Sequence, residues 1–232
     1  VALDFKYGQS SGDQNRAGAR TRSYQQEWPD LQVSVTGIER WRLLGGGDGT
    51  PDSGLFRSST FNVSYKRTKT VNNYTEIVYN PTTTLNISPR WTATFHSGLT
   101  ATLTFTTSRD QSVNNSVTTN KSRNRFGFQV RHKFRAESLL ARLGLYRPGS
   151  DPSIDMDVDF SLESDRTERI NPGGQVIEPT GTNRYSLNPR FSYQVTRNLT
   201  GALRFIFSRS SNISSGQSTT TLGLGLEATF VF

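Results

Sequence analysis

The chain contains no cysteine, one methionine and two histidines. Without thiols there are no disulfide staples and no thiolate metal sites, a composition common among proteins that cross an oxidising compartment. Long hydrophobic runs are also missing. No window approaches the ~18 consecutive apolar residues that a membrane-spanning helix requires, so a helical membrane protein is excluded. No basic, apolar, small-residue leader opens the chain, and residue 1 is Val1 rather than Met, which fits a mature form or a segment of something longer. Hydrophobic residues make up only 32% and mean hydropathy is -0.58. Yet 14 Phe and 8 Tyr bring aromatics to 11%, too many for a disordered chain. So little apolar material must be arranged economically.

The arrangement is strict alternation, the β period rather than the helical one. Leu222, Leu224, Leu226, Ala228, Phe230 and Phe232 share one face, opposite Gly223, Gly225, Glu227 and Thr229. Tyr185, Leu187, Phe191, Tyr193 and Val195 oppose Ser186, Asn188, Arg190, Ser192 and Gln194, and Leu203, Phe205 and Phe207 oppose Arg204 and Ser208. Leu99, Ala101, Leu103 and Phe105 face away from four threonines at 100, 102, 104 and 106. The pattern predicts strands near 1–7, 31–38, 56–68, 82–95, 98–109, 123–136, 153–168, 183–196, 199–211 and 218–232.

Soluble β-sandwiches alternate as well, so length and connections decide between architectures. Several segments run for about ten residues, near the ~9–11 that a tilted strand needs to cross a bilayer and beyond the ~5–6 of soluble strands. Connections at 8–30, 69–81, 110–122 and 171–182 read as long and polar, whereas His96-Ser97-Gly98 and Thr196-Arg197-Asn198 read as tight. Short turns at one end and long loops at the other are the outer-membrane habit. Residues 39–55, with Gly45, Gly46 and Gly47, and residues 137–152 break this rule. The expectation is a single all-β domain over 1–232, an antiparallel transmembrane β-barrel of about ten strands, closed or the C-terminal part of a larger barrel. It would sit in a bacterial outer membrane with its C-terminus on the periplasmic side.

Pro89-Arg90-Trp91 to Ser108-Arg109 and Pro189-Arg190-Phe191 to Ser208-Arg209 match at a constant offset, so one hairpin pattern recurs four strands later. Each proline removes a ladder donor inside a strand, which predicts a bulge or an unpaired stretch there.

Charge follows the same alternation. Arg125, Arg131, Lys133 and Arg135 share the face opposite the aromatics of their segment, and Asp155, Asp157, Asp159 and Glu163 share the corresponding face of the next. An antiparallel pairing brings these rows together, and with Arg190 and Arg204 they form a predicted lumen-facing charge ladder that fixes register and sets a field for solutes. The formal charge of +8 suggests nucleic acid, but basic and aromatic residues point to opposite faces, which excludes a stacking groove and leaves no nucleic-acid partner. Asp155, Asp157 and Asp159 are splayed ~7 Å apart along a strand, unlike a calcium loop. Gly45-Gly46-Gly47-Asp48-Gly49 lacks the Lys-Ser/Thr of a phosphate loop. No motif joins His96 or His132 to a nucleophile. No cofactor, metal or catalytic residue is expected, and the protein reads as no enzyme. Leu226, Phe230 and Phe232 look like the aromatic C-terminal signal read by the barrel-assembly machinery.

Pro29-Asp30-Leu31 through Val35-Thr36-Gly37-Ile38, Phe56-Arg57-Ser58, Val63-Ser64-Tyr65-Lys66-Arg67-Thr68, Ile87-Ser88-Pro89 through Leu103, and Thr221 to Phe232 together resemble the C-terminal region of SprA/Sov-type proteins, the outer-membrane translocons of the type 9 secretion system. The resemblance spans most of the chain from Pro29 onward. It implies a barrel several times longer that conducts folded proteins, of which this chain is the last ten or so strands, with secretion-system subunits and secreted cargo as partners. Two other readings follow from the residues alone: a small stand-alone barrel serving as anchor or passive porin, and a soluble β-sandwich adhesin.

Overall fold

The computed structural model describes residues 2–16, 19–38, 55–74, 80–114, 116–144, 153–196 and 198–231. Ten strands form one antiparallel sheet in simple sequence order, each paired with its chain neighbour. They are β1 (Ala2–Arg16), β2 (Ala19–Thr36), β3 (Phe56–Tyr74), β4 (Asn80–Phe95), β5 (Thr100–Asn114), β6 (Val117–Arg135), β7 (Ser153–Ile170), β8 (Val176–Thr196), β9 (Leu199–Asn212) and β10 (Ser218–Phe230). One short helix, α1 (Glu137–Arg142), follows β6. Among the described residues the sheet is open: β1 and β10 each have a single neighbour.

Every strand but β10 is longer than the alternation predicts, the lengths running from 13 residues in β10 to 21 in β8. Three of the expected long polar connections are in fact continuations of hairpins. The 8–30 connection extends β1 to Arg16 and begins β2 at Ala19, its register partner; the 110–122 connection extends β5 and β6 to a tip where Ser116 takes φ +63°; the 171–182 connection is a turn at Asn171–Gln175 followed by the start of β8. In the fourth, β3 continues to Tyr74 and β4 starts at Asn80. The reason is that alternation disappears where both faces are polar, while backbone pairing does not need it. Thr118, Thr119, Thr180 and Thr182 in these extensions are β-branched and favour an extended backbone.

The other end carries the tight turn at His96-Ser97-Gly98, where Gly98 sits at φ +81° and donates its N–H to Phe95. The Gly45–Gly49 stretch, Arg197 and Phe232 lie outside the described residues. Pro89 and Pro189 produce no bulge. The β4–β5 ladder skips from Ile87↔Thr107 to Arg90↔Thr104, and the β8–β9 ladder from Leu187↔Phe207 to Arg190↔Arg204, both without a change of register. The missing proline donor therefore leaves a short unpaired stretch on one side, and the other side still pairs (Val63↔Pro89, Val158↔Pro189). The repeated sequence pattern thus becomes a repeated structural one.

Register makes each face continuous. Val35, Phe61, Trp91, Leu103, Phe128, Phe160, Leu187, Phe207 and Leu222 lie directly opposite one another in turn, one apolar row crossing β2 to β10. One residue along, the row on the other face begins Thr36, Thr60, Thr92, Thr102, Gln129, Asp159 and Asn188. The sheet is also sheared. Beyond the apolar row β2 ends at Thr36, whereas β10 continues from Leu222 to Phe230. That stagger, 8 − 1 = 7 residues, is ~24 Å of strand across eight ladder spacings of ~4.8 Å, equivalent to a tilt of ~32°, close to the ~35–45° of membrane barrels.

Candidate functional site

The two faces of the sheet differ in what covers them. On the apolar face, Phe105, Phe205 and Phe207, all on interior strands, remain 41%, 42% and 39% exposed. A β-sandwich would bury them under a second sheet, and among the described residues no second sheet exists. This corrects the soluble-sandwich alternative. At the tight-turn end the apolar face is covered by α1, which lays the buried Leu140 against Ile154 and Tyr193, with Phe134, Phe191 and Val195 around them. From that cluster upward the outward residues of β7 are apolar from Ile154 to Leu162, about 27 Å of strand and ~23 Å of depth at the ~32° tilt, close to the ~25 Å apolar band of membrane barrels. Leu226 and Phe230 belong to this face and are 83% and 61% exposed. His132 also lies on it, opposite Met156 and stacked on Phe134, its Nδ1 buried without a hydrogen-bond partner.

The polar face holds the predicted charge ladder, because an 18-residue register without a slip joins β6 to β7. Arg125 lies opposite Glu163, and its Nη2 donates to Oε1 at 2.7 Å. Arg131 lies opposite Asp157, with Nε 3.1 Å from Oδ2, and Gln129 Nε2 donates to Oδ1 of the same carboxylate at 3.1 Å. Lys133 is registered against Asp155, and Asp159 against Gln129. Arg135 meets Ser153, which carries no charge. Glu163 is the most enclosed of these carboxylates, its side chain 16% exposed, since Arg123 and Arg125 both lie over it.

The remaining ladder residues are arranged differently from the simple expectation. Arg190 and Arg204 oppose each other directly, a repulsive pairing. It is relieved when Arg190 Nη2 reaches across β9 to Glu227 Oε2 of β10 at 2.9 Å, and Gly225 opposite Arg204 leaves that long side chain room. Arg131, Lys133, Asp155, Asp157 and Arg190 line a depression of about 340 Å3 on this face. Arg123, Asp165, Gln129 and Glu227 are the members missed in the sequence. Arg123 was legible in principle, being two residues before Arg125 and so on the same face, and it pairs with Asp165. Glu227 was not, because its partner is two strands away.

Nearer the long-hairpin end, Lys66 Nζ contacts Glu27 Oε2 at 3.0 Å, and this contact holds the Glu27 carboxyl below the usual range. Among the described residues no group of three or more His, Cys, Asp or Glu side chains is placed to hold a metal ion. Asp155, Asp157 and Asp159 are not brought together; each faces a different residue of β6. Chemically the arrangement offers fixed charges of both signs along the polar face.

These features define an antiparallel sheet of the outer-membrane-barrel type: one oily face, one charged face, long sheared strands. No family model and no curated protein matches the chain. Among solved structures, it is similar in fold to the alcaligin outer-membrane receptor FauA of Bordetella pertussis, with a TM-score of 0.52 at 11% sequence identity. The match takes in 97% of this chain and 38% of the receptor, so the chain spans well under half of that protein's length.

Proposed function

We propose that the chain forms an arc of an outer-membrane barrel wall whose charged face lines an aqueous path. The observation that carries this reading is the nine-strand apolar row with its polar counterpart one residue away, with no second sheet over it among the described residues. In lipid every backbone donor needs a partner, so the outer edges of β1 and β10 require either each other or further strands. The open sheet, and its correspondence to a fraction of a receptor barrel, favour further strands. The resemblance to SprA/Sov-type translocons supplies the finer reading, a wall segment of a protein-conducting pore. Threonine, serine and glycine along the polar face suit a wide wet lumen better than a narrow packed one. Its partners are then outer-membrane lipid, the barrel-assembly machinery, other secretion subunits and cargo in transit. The role is passive, with no chemistry of its own.

The second reading, a small self-closed barrel acting as anchor or narrow porin, requires β1 to pair with β10. Conductance in planar bilayers tests the pore directly. The protein purified from its own membrane is expected to pass ions in large steps, and an ion-tight preparation contradicts a lumenal path. Small steps of a narrow channel point to the self-closed barrel instead.

A further inference from the structure

On the polar face Arg123, Arg125, Arg131 and Arg190 each contact a carboxylate. On the apolar face a second set stands just above the oily band. Arg67 of β3, Leu85 of β4, Arg109 of β5, Ser122 of β6 and Arg166 of β7 lie directly opposite one another in turn, a single row on the long-hairpin side of the band. Alternate strands place the three guanidinium groups ~10 Å apart along it. All three are exposed. They line one depression of about 540 Å3 with Tyr65 and Leu85 at its oily edge. Arg166 contacts Glu168 at 2.7 Å on the same strand, and among the described residues no carboxylate contact accompanies Arg67 or Arg109. Asp110 and Lys121 at the rim are register partners and offset each other.

Gly181 continues the row into β8, at φ +156°, where a Cβ would collide with the Asp165 carbonyl. No side chain of β8 therefore stands beside Arg166 in this row.

Such a row has net positive charge, faces outward and begins where the apolar band ends. An arginine fork suits phosphate oxygens, and acyl chains attached to that phosphate would run down over Leu85, Phe105 and Phe126. We infer that Arg67, Arg109 and Arg166 form a binding site for a phosphorylated lipid head group in the leaflet on the long-hairpin side. The inference rests on the reading that the apolar face meets lipid.

The test is native mass spectrometry of the protein extracted from its own membrane and placed in phosphatidylcholine nanodiscs doped with a bisphosphorylated glycolipid. The glycolipid is expected to stay bound. It should fall to the phosphatidylcholine level in R67Q/R109Q/R166Q and rise in E168Q, which frees Arg166. Phosphatase-treated glycolipid and inorganic pyrophosphate should not be retained. Undiminished binding in the triple variant, an unchanged E168Q, equal retention of the dephosphorylated lipid, or capture of pyrophosphate alone would each overturn the proposal. Should the triple variant fail to assemble, E168Q carries the decision. Retained phosphatidylcholine in the same spectra reports separately on the membrane reading, which survives if only the arginine dependence fails.

Discussion

Two halves of the polar face stabilise the same kind of pairing by different means. Across β3 to β5 the face is hydroxylic: Thr92 and Thr102, and Thr94 and Thr100, are linked by oxygen contacts of 3.4 Å, and Ser64 meets Ser88 at 2.7 Å. Across β6 to β8 it is ionic, with Arg125–Glu163, Arg131–Asp157 and the Gln129 bond to Asp157. The apolar face is the same in both halves, continuous through Phe61, Trp91, Leu103, Phe128, Phe160 and Leu187. Register is therefore set by the oily side everywhere, because a one-residue slip would turn every apolar residue inward. The ionic half adds direction and a field on top of that. The hydroxylic half is interchangeable: a threonine row slipped by two residues meets another threonine, whereas a slipped Arg125 loses Glu163.

The largest expected effect breaks what the halves share. Phe128→Lys and Trp91→Lys should each cost about 2–4 kcal/mol of insertion free energy, as basic charges at mid-depth do, and both should abolish the heat-modifiable band of the assembled protein on gels. Assembly that survives at one site and not the other would show that the apolar row is not uniform. A smaller effect separates the halves. Glu163→Gln leaves Arg123 and Arg125 facing a neutral amide and should lower unfolding free energy by about 1 kcal/mol after allowance for the exposure of both arginines, while Thr102→Val should change it by less than about 0.5 kcal/mol. Equal losses in denaturant titration would remove the distinction.

Asp157→Lys is expected to shift reversal potential towards anions in a salt gradient. Thr92→Lys, on the same face of the hydroxylic half, should shift it less, since it does not also release Arg131. An unchanged potential for Asp157→Lys would place that carboxylate outside the conducting path. The smallest effect concerns Glu27. Its carboxyl titrates below its unfolded value through the Lys66 contact, so the stability this contact adds is present at neutral pH and fades as pH falls through the lowered value. Both side chains are partly exposed, and Lys66→Gln should remove no more than about 1 kcal/mol near neutrality and nothing in strong acid. A loss of equal size at both pH values would mean that packing, not charge, is responsible.

Strands were legible wherever an apolar side contrasted with a polar one, as in Leu85-Ile87-Trp91 or Ile154-Met156-Val158. They were not legible above the apolar band, where residues such as Thr118, Asn120 and Ser122 alternate with Lys121 and Arg123 and neither face is oily. There the hairpins continue on backbone bonding alone, and the sequence read as loop. The Arg125–Glu163 and Arg131–Asp157 pairs were legible because rows of opposite sign lay on consecutive strands. Arg190–Glu227 was not, because β9 lies between the partners and brings Arg204 opposite Arg190. The outward row of Arg67, Arg109 and Arg166 was equally hidden, since its members are far apart in sequence and only register aligns them. Whether the sheet closes is not encoded in alternation at all.

The absence of cysteine makes one measurement especially direct. Single cysteines placed successively at 126 to 131 of β6, in the protein within its membrane, can be challenged with a charged, membrane-impermeant maleimide. The account predicts labelling at 127, 129 and 131, shielding at 126, 128 and 130, and the same two-residue rhythm along 158 to 163 of β7. Uniform labelling at every position, or shielding on the side that carries Gln129 and Arg131, would contradict it.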